Sequence, residues 1–170
     1  MNAAALIAHL TAGRDAIPAL LAGVSDEQAR WRPAPEQWSL LEIACHLLDE
    51  ERDDFRTRVE LTLHRPDEAW PGIDPPGWVT ARRYQERALA AQVEAWREER
   101  GRSLAWLRAL EVPDWTRTHA HPKFGPLSAG DLLLSWVAHD QLHVRQIARR
   151  HFEHAAAVGA PHSTRYAGDW

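Results

Sequence analysis

The fold of this chain is decided by a stretch near its end, Ser135-Trp136-Val137-Ala138-His139-Asp140-Gln141-Leu142-His143-Val144-Arg145-Gln146-Ile147. His139 and His143 are spaced so that, in an α-helix, their side chains stack about one turn apart on the same face. Leu132, Trp136 and Gln146 fall on that face at helical steps, so it is predicted to face the protein interior. Two buried imidazoles need hydrogen bonds or a metal ion to satisfy their nitrogens.

Two capping boxes mark where two of the main helices begin: Ser39-Leu40-Leu41-Glu42 and Ser128-Ala129-Gly130-Asp131. In each box the serine and the acidic residue can satisfy one another's free backbone amides. The first box predicts a helix over residues 39–63. The second predicts a helix from residue 128 to about residue 154, which carries the two histidines.

Apolar periodicity predicts two further helices, one over residues 3–22 with a kink near Pro18 and a long one over residues 80–110. Gly23 and the polar run after it are expected to end the first helix. Proline-containing segments between the helices are expected to be loops: residues 29–38, 64–78 and 112–127. No strand pattern of any length is evident.

Four amphipathic helices with long connecting loops predict an all-α fold, a four-helix bundle. A chain of 170 residues is expected to form one domain over residues 1–154, followed by a C-terminal tail over residues 155–170. The apolar content of 45% is ordinary for a globular protein that can bury a core.

Composition argues against several classes of protein. The net charge of −4, with acidic and basic residues interleaved, gives no support to nucleic-acid binding. A single cysteine, Cys45, precludes an internal disulfide and suits a reducing cytosol. Neither a basic signal-peptide region nor an apolar run of ~20 residues is present, so no membrane association and a cytoplasmic location are expected.

His46 is the best third partner for the histidine pair. On the predicted helix over residues 39–63 it lies with Ile43, Leu47 and Glu50 on the apolar side. Side chains from facing helices commonly build metal sites inside bundles, and three neutral imidazoles leave a fourth position open, as in catalytic zinc sites. Ten histidines also produce pairs by accident, so the pair alone is a weak signal that the inward-facing third histidine strengthens.

Two segments resemble a known family. Trp38 to Leu47 is similar to the W-S-x-x-E-x-x-x-H-L segment of the DinB/YfiT-like superfamily, and His139 to Ile147 is similar to its H-D-x-x-H-x-x-Q-I segment. The resemblance implies a four-helix bundle whose three histidines, by motif position His46, His139 and His143, bind a divalent metal ion, zinc or nickel. The helix order matches up to about residue 152. A homodimer is also compatible with this resemblance and with the Trp and Leu content.

The resemblance also implies a reaction, because several members of the family are transferases that use a low-molecular-weight thiol of the bacillithiol or mycothiol type. The leading expectation is therefore a metal-dependent thiol transferase that attacks an electrophilic small molecule. One alternative is a metal-dependent hydrolase in which water replaces the thiol. Another is a non-catalytic, metal-binding stress-response protein.

Other side chains are weaker candidates for the site. Glu50 is a candidate to orient an imidazole or accept a proton, and Gln146 to reach a ligand, although a solvated carboxylate and a helix-to-helix hydrogen bond are common alternatives. Trp38 and Trp136 are candidate walls of a binding pocket or ordinary core residues. Arg145 is a candidate contact for an anionic substrate or cosubstrate.

Three further residues near these motifs are set aside from the metal site. His119 and His121 lie in the predicted loop over residues 112–127, where ligands are held less firmly than on helices, and an anion contact is their other possible role. Cys45 neighbours His46 but is rotated ~100° from it around the helix. A small buried thiol is therefore expected there.

Overall fold

The computed structural model of the protein describes residues 1–168. In chain order its helices are α1 (Ala3–Leu21), α2 (Asp26–Arg30), α3 (Leu40–Asp49), a π-helical segment (Glu50–Phe55), α4 (Arg56–His64), α5 (Pro75–Ala81), α6 (Leu89–Ala109) and α7 (Ala129–Val158). Short 3₁₀ turns lie between α5 and α6, at Tyr84–Glu86, and after α7, at Arg165–Ala167. The segments α3, π and α4 run on without a break, and we refer to them together as the second bundle helix. The predicted four-helix bundle is confirmed, with α1, the second bundle helix, α6 and α7 as its members.

The packing order of the four helices brings the histidine of one helix next to the histidine pair of another. α1 packs against both α6 and α7, and the second bundle helix also packs against both α6 and α7. α3 and α7 are therefore neighbours in the bundle. His46 on α3 and the pair His139 and His143 on α7 thus lie across one helix–helix interface.

The core of the bundle consists of two apolar clusters with polar side chains between them. One cluster contains Ile17, Trp96 and Ile147, and the other contains Leu104 and Trp136. Between these clusters along the helices lie buried polar residues that we call the polar layer: His46, Glu50, Glu51, Arg100, Asp140 and His143. Buried charges are costly unless they are paired, so the residues of the polar layer must form hydrogen bonds and ion pairs with one another or with a bound ion or ligand.

Both predicted capping boxes are present. The Ser39 hydroxyl accepts a hydrogen bond from the Glu42 amide at 3.3 Å, and the Glu42 carboxylate accepts one from the Ser39 amide at 2.9 Å. Ser128 and Asp131 make the equivalent pair at 3.0 and 2.8 Å. Each cap satisfies orphan amides at the start of a helix that carries a histidine of the cluster, so it fixes where that helix begins.

The second bundle helix covers residues 40–64, close to the predicted residues 39–63, but it contains a π-helical segment that the sequence did not predict. A π turn changes the direction in which successive side chains point. Here Glu50, Glu51 and Asp54 are all buried. Glu50 faces His46, whereas Glu51 faces Arg100. π-helical turns often occur at functional sites, where they bring extra side chains to one face.

The third main helix was predicted from residue 80 and begins instead at Leu89. The chain turns before it at Arg83, whose φ of 50° lies in the left-handed region. Tyr84 is buried there and its hydroxyl donates a hydrogen bond to the Asp49 carboxylate. This tertiary contact ends the helical run, although the local sequence contains neither glycine nor proline at that point.

Three regions predicted to be irregular contain secondary structure. The polar run after Gly23 forms the short helix α2, which Ser25 caps, and α5 begins inside the predicted loop over residues 64–78. The predicted loop over residues 112–127 contains an antiparallel hairpin of β1 (Thr118–His121) and β2 (Gly125–Ser128). The expectation that no strand would form was therefore wrong. Strands this short carry too little alternation to be recognised in sequence.

The last helix extends beyond its predicted end. α7 continues to Val158, past the expected end near residue 154. The division into a domain over residues 1–154 and a tail stays a prediction, and part of that tail lies outside the described residues. Among residues 1–168, none of the helices combines the length and apolar character needed to span a membrane.

Candidate metal centre

Three imidazoles meet at the interface between α3 and α7. The His46 Nε2 atom lies 3.2 Å from His139 Nε2 and 3.1 Å from His143 Nε2, and the last two atoms are 3.0 Å apart. We call this group the histidine centre. Among the described residues it is the one group of three or more His, Cys, Asp or Glu side chains placed to hold a metal ion.

A network of buried charges holds α7 in the rotation that presents these histidines. Arg100 on α6 donates to both oxygens of Asp140 at 2.6 and 2.8 Å and to both oxygens of Glu51 at 2.8 and 2.9 Å. Trp136 donates its indole N–H to the same Glu51 carboxylate at 2.9 Å. This Arg100 network joins α6, the π-helical segment and α7 next to His139. Paired, bidentate hydrogen bonds of this kind fix geometry as well as offsetting burial.

Each histidine of the centre is held in its neutral form. Burial, together with the repulsion that a second proton would meet from His143, lowers the pKa of His46 to about 3. Burial and the other two imidazoles lower the pKa of His139 well below its usual value. Burial also lowers the pKa of His143, although the hydrogen bond with Gln146 and the charge of Asp140 oppose that shift. Neutral imidazole is the form that binds a metal ion.

Two side chains lie behind the histidines, on the ring nitrogens that face away from the centre. The Gln146 Oε1 atom is 2.8 Å from His143 Nδ1, so Nδ1 donates and Nε2 keeps its lone pair. The Glu50 Oε1 atom lies 3.8 Å from His46 Nδ1, beyond hydrogen-bond distance, and neither buried atom has a hydrogen-bond partner among the described residues. Metal-binding histidines characteristically direct this second nitrogen at a carboxylate or carbonyl oxygen.

The histidine centre fits a metal ion in donor type, protonation and spacing. Two nitrogens bound to one tetrahedral zinc ion are about 3.3 Å apart, close to the separations of 3.0 to 3.2 Å found here. Lone pairs that converge at this distance repel one another unless a cation lies among them. His139 is partly exposed, whereas His46 and His143 are 5% and 8% exposed, so His139 is the most accessible of the three imidazoles.

Comparison with known proteins agrees with this fold. A family model described as the DinB superfamily matches residues 9–147, which is most of the chain. The chain belongs to the DinB superfamily. A solved structure similar to this DinB superfamily protein is YfiT from Bacillus subtilis, which is 19% identical, has a TM-score of 0.79, and aligns over 92% of this chain and 87% of that chain. YfiT is described as "a probable metal-dependent hydrolase with an unusual four-helix bundle topology". No curated protein matches the sequence significantly.

In this DinB superfamily protein the predicted pocket tryptophans have different surroundings. Trp38 is partly buried and its ring lies 4.7 Å from the His46 ring, so it flanks the histidine centre. Trp136 is 1% exposed and stacks on Phe55, whose ring lies 4.9 Å from that of His139. Trp136 is thus a core residue that supports the centre from behind, and a direct role in binding a cofactor stays a prediction.

Arg145 and the residues set aside from the metal site are also located. Arg145 is exposed on α7, beside His143. His119 and His121 lie in the β-hairpin, where His119 stacks on Trp70 with ring centroids 4.3 Å apart. Cys45 is 2% exposed, as expected, and burial and the charge of Asp49 raise its pKa to about 12.

Sequence reasoning missed the Arg100 network, although a signal for it exists. Trp96, Arg100, Leu104 and Leu107 recur at helical steps, which places Arg100 on the buried stripe of α6. An arginine on an apolar stripe needs buried carboxylate partners. The identity of those partners depends on how α6 packs against the π-helical segment and α7, which periodicity does not reveal.

Proposed function

We propose that this DinB superfamily protein is a divalent-metal-dependent enzyme that acts on a small molecule. The observation that carries the proposal is the convergence of three neutral imidazole Nε2 atoms from two helices, with separations of 3.0 to 3.2 Å. His46, His139 and His143 would hold the ion. Three protein ligands leave a further position for water or substrate, which is the arrangement of a catalytic rather than a structural site.

The surrounding residues prepare the ligands. Gln146 fixes the protonation of His143, and Glu50 lies where it can accept from His46 Nδ1. Burial and the Asp54 carboxylate raise the pKa of Glu50, so this side chain holds a proton more readily than a solvated carboxylate does. Trp38 and Phe55 cover the imidazoles with aromatic surface and exclude water from two sides.

A divalent ion bound there would lower the pKa of a coordinated water or thiol and so supply a nucleophile at neutral pH. Two reactions are consistent with this chemistry. The description of YfiT supports hydrolysis, in which the nucleophile is water. The two histidine-containing segments resemble the family's motifs, and the use of a low-molecular-weight thiol by several members of that family supports thiol transfer. In both cases the metal, zinc or nickel, would be bound by the same three histidines.

A thiol-dependence assay separates the two reactions. Tag-free protein loaded with zinc or nickel is offered a panel of electrophilic small molecules, including activated esters, with and without added bacillithiol, mycothiol or glutathione. Turnover that requires thiol identifies a thiol transferase, and turnover in its absence identifies a hydrolase. A His139→Ala/His143→Ala double variant should lose either activity. Turnover at the wild-type rate in that variant would exclude the histidine centre as the catalytic site.

A non-catalytic role predicts a different outcome. If the protein only binds a metal or binds none, no member of the panel is turned over by the metal-loaded protein. A chelator then distinguishes a structural metal from the absence of metal. Removal of a bound ion should lower the melting temperature, whereas the melting temperature of a protein without metal should not change.

A further inference from the structure

A groove along α7 runs beside the histidine centre and has a marked excess of positive charge. Its volume of about 700 Å³ is in the range of small-molecule sites, and it is lined by Leu142, His143, Arg145, Gln146, Arg149 and Arg150. We call this surface the α7 groove. Three of its six lining residues are arginines, although the chain as a whole has a net charge of −4. The local charge is therefore opposite in sign to that of the whole protein.

The arginines of the α7 groove have too few acidic partners. Arg149 Nε lies 2.9 Å from one oxygen of Glu153, and Arg150 contacts the other oxygen of the same carboxylate. Arg145 is exposed and forms no ion pair with any residue of the described chain. Three guanidinium groups thus share one carboxylate. The site retains about two uncompensated positive charges.

Arg150 distinguishes this groove from an ordinary solvated row of arginines. Its side chain is only 7% exposed, and its buried Nε atom has no hydrogen-bond partner among residues 1–168. Burial and the positive charge of Arg149 lower the pKa of Arg150, and the Glu153 carboxylate opposes that shift only in part. A buried guanidinium is costly, and an anion in the adjacent groove would offset part of the cost of its positive charge.

The α7 groove is continuous with the histidine centre through two residues. His143 belongs to both, since its Nε2 faces the other imidazoles while its ring also lines the groove. Gln146 lines the groove and accepts from His143 Nδ1 through its Oε1, which leaves its amide N–H groups available to a ligand. Arg149 and Arg150 lie six and seven residues beyond His143, so a molecule that contacts these arginines and reaches His143 would extend over about two helical turns, or ~10 Å, along α7.

We propose that the α7 groove binds the anionic group, a carboxylate or a phosphate, of the small molecule on which the histidine centre acts. Arg145 and Arg149 supply exposed guanidinium groups, and Arg150 supplies a buried one. Planar guanidinium groups match carboxylate and phosphate oxygens in two-point hydrogen bonds, and this holds the anion in one orientation. The assignment of this anion to a substrate rests on the proposed function, whereas anion binding itself does not.

The direct test follows the N–H signals of the arginine side chains by NMR while inorganic phosphate, and in a second series succinate, is added to the full-length protein. The Arg150 Nε–H signal should shift and saturate. In an Arg145→Gln/Arg149→Gln double variant the affinity should fall about tenfold or more, because two charge-assisted contacts are lost. The series with the lower dissociation constant identifies the preferred anion.

A matched control uses Arg97→Gln, which removes one exposed arginine from α6, away from the groove. This variant should bind both anions as the wild-type protein does. A shift that does not saturate, or equal affinities in the double variant and the wild type, would overturn the proposal.

Two further measurements separate this proposal from the proposed function. His46→Ala removes a proposed metal ligand that does not line the groove, so it should lose metal and keep phosphate binding. Phosphate binding without any metal binding in the wild type would overturn the proposed function alone. If the metal-loaded enzyme hydrolyses esters, the double variant should lose the preference for a carboxylate-bearing ester over a neutral one. An unchanged preference would overturn the substrate assignment alone.

Discussion

Gln146 is the residue that fixes the form of His143. A glutamine Oε1 atom can only accept, so the His143 Nδ1 atom 2.8 Å away must donate, and its Nε2 lone pair is directed at the other two imidazoles. Glu50 lies on the corresponding side of His46, 3.8 Å from its Nδ1 atom, which is beyond hydrogen-bond distance. Of the proposed metal ligands, His143 is therefore the one whose protonation is fixed by a supporting side chain.

Gln146→Leu should weaken metal binding by about 10- to 100-fold, as the loss of such supporting hydrogen bonds typically does. The substitution removes the acceptor that holds the His143 ring. Competition against a chromophoric chelator measures the affinity. Gln141→Leu, on the exposed side of α7, is the matched control and should bind metal normally. Equal affinities in the two variants would show that Gln146 plays no supporting role.

Cys45 should be inert in the folded protein. Burial and the Asp49 carboxylate raise the pKa of its thiol to about 12, so almost no thiolate, the reactive form, exists near neutral pH. A disulfide reagent such as DTNB at pH 8 should label the denatured chain quickly and the native chain slowly. Because Cys45 is the one cysteine of the chain, the assay is unambiguous. Rapid labelling of native protein would place the thiol on the surface.

At the level of helices, the approach of α1 to α7 depends on a glycine. A Cβ atom at Gly13 would lie 2.7 Å from Asp140 Oδ2, and that carboxylate is held by Arg100 and has little freedom to move. α1 can therefore contact α7 this closely only where it lacks a side chain. The same contact places α1 against the Arg100 network and beside the helix that carries His139.

Gly13→Ala should destabilise the protein by about 1–3 kcal/mol, the usual cost of overpacking a tight contact, in spite of the higher helix propensity of alanine. Gly101→Ala on α6 is the matched control. Its Cβ would meet only the flexible Arg14 side chain, at 3.4 Å, so this change should be neutral or stabilising. Urea unfolding of both variants measures the difference. A Gly13→Ala protein as stable as the control would contradict the close contact.

The helices could be predicted to the extent that their signals are local. The boxes at Ser39 and Ser128 give the starts of α3 and α7 because a cap involves only residues three apart. The break before α6 could not be predicted, since it depends on Tyr84 reaching Asp49 on another helix. The β-hairpin was missed for a related reason, because each strand has four residues and is paired only with the other.

Across the whole molecule, the polar layer links stability to the histidine centre. The three imidazoles of the metal-free protein stay neutral because their pKa values lie below the ordinary value of 6.5. The unfolded chain therefore binds protons that the native state does not bind. The contribution of these neutral imidazoles to the free energy of unfolding is fully present above pH 6.5 and decreases as the pH falls below that value.

The free energy of unfolding of the metal-free protein should fall between about pH 6.5 and 5, by up to ~1.4 kcal/mol per pH unit for each imidazole that remains neutral in the native state. Urea unfolding at a series of pH values measures the slope. A His46→Ala/His139→Ala/His143→Ala variant should lose most of it, whereas His9→Ala, on the exposed side of α1, should retain it. The same slope in the triple variant would contradict neutral imidazoles.

Sequence periodicity predicted the three residues of the histidine centre but not the side chains that surround them. The spacing of His139 and His143 and the inward position of His46 indicated three ligands, and the structure brings these residues together. The Arg100 network, the position of Glu50 after the π turn, and the partnering of the α7 arginines were not predictable. Each of them depends on contacts between residues far apart in the chain, which only the packed bundle defines.

The measurement that tests the central claim most directly is the metal content of tag-free protein and of three single variants, His46→Ala, His139→Ala and His143→Ala. The wild-type chain should bind about one divalent ion, zinc or nickel, and each substitution should abolish or strongly weaken that binding, because three ligands define the site. Wild-type protein that binds no divalent ion, or variants that retain the wild-type stoichiometry and affinity, would contradict a three-histidine metal centre.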